Sequence, residues 1–212
     1  MAMQEIIPIF PLGSTLFPMG LLPLKIFEVR YLDMINQCVK NDTGFGVVTI
    51  ETGSEVRRPE EKVAIYEHGT LATLAQFDVI KPNLYMILAE GTKRFKVLHK
   101  EQQANGLWIA NVEYLEPDPV TPIPPELNLS VEILKDLIEV HEDQAGSVPP
   151  LPFNPPYQFE DCAWVANRWA ELLPLTPGQR QHLLSMENPR LRLDLVSELL
   201  EEMGIAQSRP NQ

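Results

Sequence analysis

Cysteine is nearly missing from this chain: Cys38 and Cys162 are the only two in 212 residues. They lie far apart in segments of helical periodicity, which makes neither a disulfide framework nor a zinc site. Free cysteine usually packs as a small hydrophobe. Histidine is also scarce. His68, His99, His141 and His182 fall on separate elements, with no i, i+4 pair and no H-E-x-x-H. The densest set of possible ligands, His141-Glu142-Asp143, reads as a solvated helix end, where the dipole favours a cation. Glu60-Glu61 reads as part of a charged loop. There is no G-x-x-x-x-G-K-[ST] to cradle phosphates and no G-x-S-x-G nucleophile elbow. The residues therefore call for no cofactor, no metal and no catalytic centre, and the chain is read as not an enzyme. Proline and lysine interrupt every apolar run short of the roughly 18 residues a membrane span needs. The N-terminus has no basic region before an apolar one. The expectation is a cytoplasmic protein with no membrane partner.

Positive charge is in short supply as well. Lys and Arg number 17 against 29 Asp and Glu, a net charge of −12. Up to Pro117 the balance is 11 against 14, and beyond it 6 against 15. Phosphate backbones repel such a surface, which argues against nucleic acid. The one basic run, Lys93, Arg94, Lys96 and Lys100, reads as a solvated strand edge that discourages aggregation.

Proline is abundant, with 20 residues, about twice the usual share of roughly 5%. It is clustered, so it marks loops and a linker. Residues 6–35, IIPIFPLGSTLFPMGLLPLKIFEVRYLDMI, hold Pro8, Pro11, Pro18 and Pro23, each fixing φ near −65° and extending the residue before it. A run this stiff and apolar is expected to thread the core of a β domain whose strands wrap around it. Residues 5–10 read as a strand, followed by a proline-rich loop. Phe27–Lys40 reads as a helix with Leu32, Ile35 and Val39 on its buried face, beside Tyr31, Met34 and Cys38. FGVVTI (45–50) reads as a central strand and Thr52–Lys62 as a loop. Residues 63–80 read as two strands about a turn at His68-Gly69. Residues 84–91, 93–100 and 107–115 read as further strands, the last with Trp108, Ala110, Val112 and Tyr114 on one face. About six short strands suggest a small barrel.

Prolines from Pro117 to Pro125 mark a semi-rigid spacer, after which the period becomes helical. Leu129–Glu142 has Ile133, Leu134, Leu137 and Ile138 facing inward. Asp161–Leu173 carries Trp164 and Trp169. Thr176-Pro177-Gly178-Gln179 and Asn188-Pro189 are helix starts. Leu191, Leu195, Leu199 and Met203 are expected to form the buried face of the last helix. The division is a barrel over 1–117, a linker over 118–126, a helical subdomain over 127–205 and a tail over 206–212.

In this order the motifs resemble the N-terminal, substrate-binding domain of the ATP-dependent Lon proteases. The pattern P-L-x-x-x-x-F-P-x-x-x-L-P-L followed by I-F-E-x-R-Y occurs within the opening stretch. FGVV at 45–48, GTLA at 69–72, E-G-x-x-R-F at Glu90–Phe95 and VEYLEPD at 112–118 follow it. LPLTPGQRQHLL and NPRLRLDLVSELL continue the match through the helical half. Lys25 stands where many members have His, and Val29 where many have Pro. The resemblance implies an α+β fold, a PUA-like antiparallel β pseudo-barrel followed by an all-helical C-terminal subdomain. It also implies a free-standing module that holds unfolded polypeptides or a dedicated protein partner, without ATPase or peptidase. An RNA-binding barrel, or a sensor or enzyme with a barrel pocket, is the alternative.

Within the signature, Phe17 and Phe27 are expected as core anchors, and Gly69 and Gly91 as turn or bulge residues. Glu28 and Arg30 are the polar pair, able to fasten the helix to the barrel or to meet a partner. Phe17, Met19, Leu21 and Leu22 are the apolar candidates for partner contact, with Glu28 and Arg30 beside them.

Overall fold

The computed structural model describes residues 4–55, 63–144 and 146–206. Along the chain the elements are β1 (Gln4–Leu12), β2 (Leu21–Ile26), α1 (Val29–Asn41), β3 (Phe45–Thr52), β4 (Ala64–Lys81), β5 (Leu84–Gln102) and β6 (Trp108–Tyr114). A single 3-10 turn (Pro125–Leu127), α2 (Asn128–Asp143), α3 (Cys162–Leu172), α4 (Pro177–Ser185) and α5 (Pro189–Glu202) follow. They form two compact units. One takes the chain up to Pro117 together with Leu175–Ser185, the other takes Asp118–Pro174 and the residues from Met186 on.

The first unit is built on a sheet of order β2-β5-β4-β3-β1-β6, which a further β5–β6 pairing closes into a ring. Closure is possible because β5 is long: its first half pairs with β2 and its second half with β6. The α+β class and the pseudo-barrel hold, but the sheet is mixed, since β1 runs parallel to β3. β1 explains its own proline-laced hydrophobicity. Ile7 and Ile9 face one buried cluster with Phe95 and Val112, while Phe10 and Leu12 face another with Tyr31, Ile35 and Phe45. A strand covered on both sides reads as a continuous apolar run. The first part of the opening segment is thus a central strand, while β2, later in it, lies at the end of the strand order.

Several expectations change. The proline-rich loop before α1 contains β2. Residues 63–80 are one continuous strand with no turn at Gly69, and the runs 84–91 and 93–100 join in β5. Gly69 and Gly91 are there for close approach. A Cβ on Gly69 would meet the Phe95 ring and the Val47 carbonyl, and one on Gly91 would strike the Phe17 carbonyl. In α1 the buried face holds Arg30, Tyr31, Leu32, Met34, Ile35 and Cys38, whereas Val39 is exposed. Residues 56–62, including the Glu60-Glu61 loop, lie outside the described residues. α4 belongs with the barrel rather than with the other helices. Its Thr176 and Gln179 form the expected capping box, Gln179 N–H donating to Thr176 Oγ1 and Thr176 N–H to Gln179 Oε1. Gln181 Nε2 donates to Thr49 Oγ1 at 2.8 Å, and Arg94 Nη1 donates to the Leu184 carbonyl at 2.8 Å.

In the second unit, α3 packs against α5 and α2. Asp161 caps α3, and Trp169 Nε1 donates to the Ser130 carbonyl at 2.9 Å. The proline segment expected as a spacer is fastened here. Thr121 N–H donates to Asp161 Oδ1, Cys162 N–H donates to the Thr121 carbonyl, and Asp118 takes two bonds from Arg192. Asn188 Oδ1 caps α5 by accepting from the N–H groups of Arg190 and Leu191. The buried face of α5 is Arg192, Leu193, Val196, Leu199 and Leu200, while Leu191 and Met203 are exposed.

Candidate functional site

The signature loop between β1 and β2 is stapled to β5. Met19 N–H donates to the Gly91 carbonyl at 2.7 Å, and Gly91 N–H donates to the Gly20 carbonyl at 2.9 Å. Met19 itself adopts φ of 62°, the left-handed region. This geometry turns Phe17 inward. Its side chain is 0% exposed, so it is a core anchor, as expected, and not an available contact. Met19, Leu21 and Leu22 are half-buried, and Leu22 packs against the α1 core cluster. Glu28 and Arg30 form an ion pair of 2.9 Å. Arg30 is buried, stacks on the Tyr31 ring at 4.5 Å, and donates from Nη1 to the Gly106 carbonyl at 2.7 Å. The pair therefore ties the start of α1 to the β5–β6 turn.

Phe27 corrects the expectation of a second core anchor. It is 55% exposed, and Val29 beside it is 71% exposed. The reason lies in β2. Leu22, Leu24 and Ile26 turn towards the core, while Pro23, Lys25 and Phe27 turn outward. That period-2 alternation was present in the sequence, masked by the prolines around it. Among the described residues β2 pairs only with β5, which leaves its other edge open there. Gly91 N–H bonds the Gly20 carbonyl, and strict alternation of an antiparallel ladder then aims the backbone groups of Leu21, Pro23 and Lys25 at the open edge. Pro23 contributes no donor there, the usual place for proline in a sheet.

Lys25 and Phe27 form a ridge between two hollows. One, of about 180 Å³, is lined by Phe10, Leu12, Leu24, Glu28, Tyr31 and Glu55 among others. The other, of about 470 Å³, is lined by Lys25, Phe27, Lys81, Asn83 and Leu84. The neighbouring β4–β5 hairpin exposes Val79 and Ile80 to 57% and 54%, and Met86 in part. A third hollow of about 380 Å³ lies between α1 and the β5–β6 turn, with Met34, Cys38 and Leu107 below and Gln37, Asn41 and Asn105 around it.

Perturbed titrations have burial as their leading cause. Burial pushes the Tyr31 hydroxyl up to about 12 and the Cys162 thiol up to about 11, and raises Cys38. Burial lowers Arg168, with Glu171 working against it. Among the described residues no group of three or more His, Cys, Asp or Glu side chains converges. Of the basic run expected at a solvated strand edge, Lys93, Lys96 and Lys100 are exposed. Arg94 is buried, Lys96 lies 3.8 Å from Glu67, and Lys100 donates to the Ile65 carbonyl. What the surface around β2 offers is apolar area, two ammonium groups and an open strand edge.

The family model for the ATP-dependent protease La (LON) substrate-binding domain matches residues 6–202. The chain belongs to that family. The chain is 27% identical over 205 residues to "Lon protease 2" of Myxococcus xanthus, covering 92% of this chain and 23% of that one. It is 28% identical over 203 residues to the Lon protease of Anaeromyxobacter dehalogenans, again covering 92% and 23%. The domain thus spans about a quarter of the length of these curated relatives. A crystal structure of a Lon N-terminal domain protein from Xanthomonas campestris aligns with a TM-score of 0.73 and 30% identity, covering 92% of this chain and 98% of that one. The N-terminal domain of a Mycobacterium avium complex Lon protease shares the fold at a TM-score of 0.59 and 14% identity. Among the described residues no helix is long and apolar enough to cross a membrane.

Proposed function

We propose that this chain is a non-catalytic, cytoplasmic polypeptide-binding module that holds unfolded segments of other proteins on its barrel unit. The observation that carries the reading is the exposed apolar group at Phe27 and Val29, continued by Val79, Ile80 and Met86 on the adjacent hairpin. Scattered exposed hydrophobes need no explanation, but exposed Phe27 and Val29 follow directly on a strand whose edge no described strand covers, and apolar area there favours an interaction surface. An extended chain can offer such a surface both side chains and backbone groups. The family name points the same way, since its members carry this domain as the substrate-binding part. A net charge of −12 weighs against RNA.

The test is calorimetry with a reduced, alkylated model protein that cannot refold, beside the same protein in its native form. Binding of the unfolded form alone is the expected result. Failure to bind either form, or turnover of ATP or cleavage of peptide by the purified chain, would overturn the reading.

A further inference from the structure

The hollow lined by Lys25, Phe27, Lys81, Asn83 and Leu84 differs in charge from the rest of the molecule. The protein carries 29 acidic against 17 basic side chains, yet among the described residues the lining of this hollow holds two lysines and no carboxylate. The acids nearby are engaged elsewhere. Register puts Asp78 in one row with Met86 and Lys25, with β5 between the two charges, and Gln76 Nε2 donates to Asp78 at 2.6 Å. On the other side of the Phe27 ridge, Glu28 is held by Arg30 and Glu55 accepts from the Gly13 N–H. Among the described residues, neither Lys25 nor Lys81 has an ion-pair partner. The exposed Phe27, the half-buried Leu84 and the exposed Asn83 complete the lining.

We infer that this hollow receives an apolar side chain from an acidic polypeptide segment, with Lys25 and Lys81 meeting the carboxylates that flank it. The inference rests on the polypeptide-binding reading and narrows it to one class of segment. A volume of about 470 Å³ has room for a side chain and the backbone that carries it. Phe27 supplies the aromatic contact, and aromatic anchors dominate binding when neighbouring contacts exclude water from them. Ammonium groups at the rim act on encounter and on the choice of partner more than on the depth of binding. A basic segment would instead bring its cations against Lys25 and Lys81.

Three fluorescein-labelled peptides test this: Glu-rich with a central Phe-Leu pair, the same with Lys for Glu, and the same with Ser for Phe and Leu. The wild-type chain is expected to prefer the first by about tenfold or more over each of the others. Charged rim contacts are screened within about 10 Å at 0.1 M salt, so the preference over the Lys peptide should shrink as NaCl rises. Lys25→Glu with Lys81→Glu should reverse the choice between acidic and basic peptides. Phe27→Ser should weaken the acidic peptide by a similar factor while leaving salt dependence in place. All three positions are exposed, and circular dichroism with thermal melts checks that each variant folds.

Equal affinity for acidic and basic peptides, or affinity unmoved by the double variant, overturns the inference. If the unfolded model protein still binds in that case, the broader reading stands alone. If neither peptides nor unfolded protein bind, the broader reading fails too. A wild-type dimer in sedimentation that the double variant dissolves would assign the hollow to a second copy, and a single-stranded oligonucleotide displaced by the double variant would assign it to phosphate. Either result overturns the inference.

Discussion

A methyl group added at Gly69 would point at the Val47 carbonyl oxygen from 2.5 Å and at Phe95 Cζ from 2.6 Å. Neither neighbour has room to retreat, because Phe95 fills the barrel core and Val47 is paired in β3. Gly69→Ala should therefore cost about 1–3 kcal/mol, the usual range for overpacking, read as a lower urea midpoint. Gly178, inside the first turn of α4, is the counter-case. Its added methyl would lie 3.5 Å from the Tyr66 hydroxyl, an ordinary contact, so Gly178→Ala should stabilise by up to about 1 kcal/mol, read as a higher urea midpoint. Two arginines in α5 make a second contrast. Arg192 is wholly buried against Asp118 at 2.7 Å, Asn167 and the Met186 carbonyl. Its truncation to Ala takes both guanidinium bonds from the Asp118 carboxylate and should cost about 3–5 kcal/mol. Arg190 pairs with Glu126 at 2.8 Å, but both are more than half exposed, and Arg190→Ala should cost less than about 1 kcal/mol. Tyr31 adds a pH dependence. Burial raises its hydroxyl from 10.0 to about 12, only partly offset by Arg30. Its contribution is whole below pH 10 and is lost as pH rises through 12, because the unfolded chain ionises first. Urea midpoints at pH 8 and pH 11 should fall further apart in the wild type than in Tyr31→Phe.

At the scale of elements, β2 decides how the barrel meets its surroundings. Pro23 sits in the middle of its open edge and withholds a donor. Pro23→Val should restore a continuous edge of donors and acceptors, and exposed edges pair with other chains. Concentration-dependent association in sedimentation velocity is the expected outcome, and a strictly monomeric variant would show that the edge is already blocked. The same proline hid β2 from the sequence, since Pro18 and Pro23 made a strand look like a loop. Gly69 misled in the opposite sense. Beside His68 it read as a turn, yet it is the flat spot under the Phe95 ring in an unbroken strand. In α5 the series Leu191, Leu195, Leu199, Met203 steps by four residues. Each step overshoots a full turn by about 40° at 3.6 residues per turn, so the series spirals off the buried face centred on Leu193, Val196 and Leu200. Elements with a clear local signal were readable: β1 from its apolar run, and α4 and α5 from their caps; β6 was found although Leu107, Ile109 and Leu115 blur its alternation. The candidate surface was less so. The alternation in β2 that turns Phe27 outward covers only six residues, and the hollow beside it depends on Lys81 and Leu84, brought in by the β4–β5 turn more than 50 positions away.

For the whole molecule, the order of residues along the chain and the order of packing disagree. A cut after Pro117 looks natural, because the proline run begins there and the period changes. Yet the barrel unit includes Leu175–Ser185. A fragment ending at Pro117 would lack Leu183 and Leu184, both almost wholly buried. It would remove the Leu184 carbonyl from the guanidinium of Arg94, which is 5% exposed, and Gln181 from the buried hydroxyl of Thr49. Each buried hydrogen bond lost costs about 0.5–1.5 kcal/mol, more when charged, and two leucine side chains add about 1.5–3 kcal/mol apiece. Set against a typical domain stability of about 5–15 kcal/mol, the fragment should be unfolded or aggregated at room temperature, with weak near-ultraviolet dichroism. Grafting Leu175–Ser185 onto it through a flexible linker should restore a cooperative urea transition. A grafted fragment carrying Leu184→Asp should fail to do so, which separates the docking of α4 from any effect of added length. If the bare 1–117 fragment instead melts cooperatively near the temperature of the full chain, α4 is an ornament on the barrel and not part of its core.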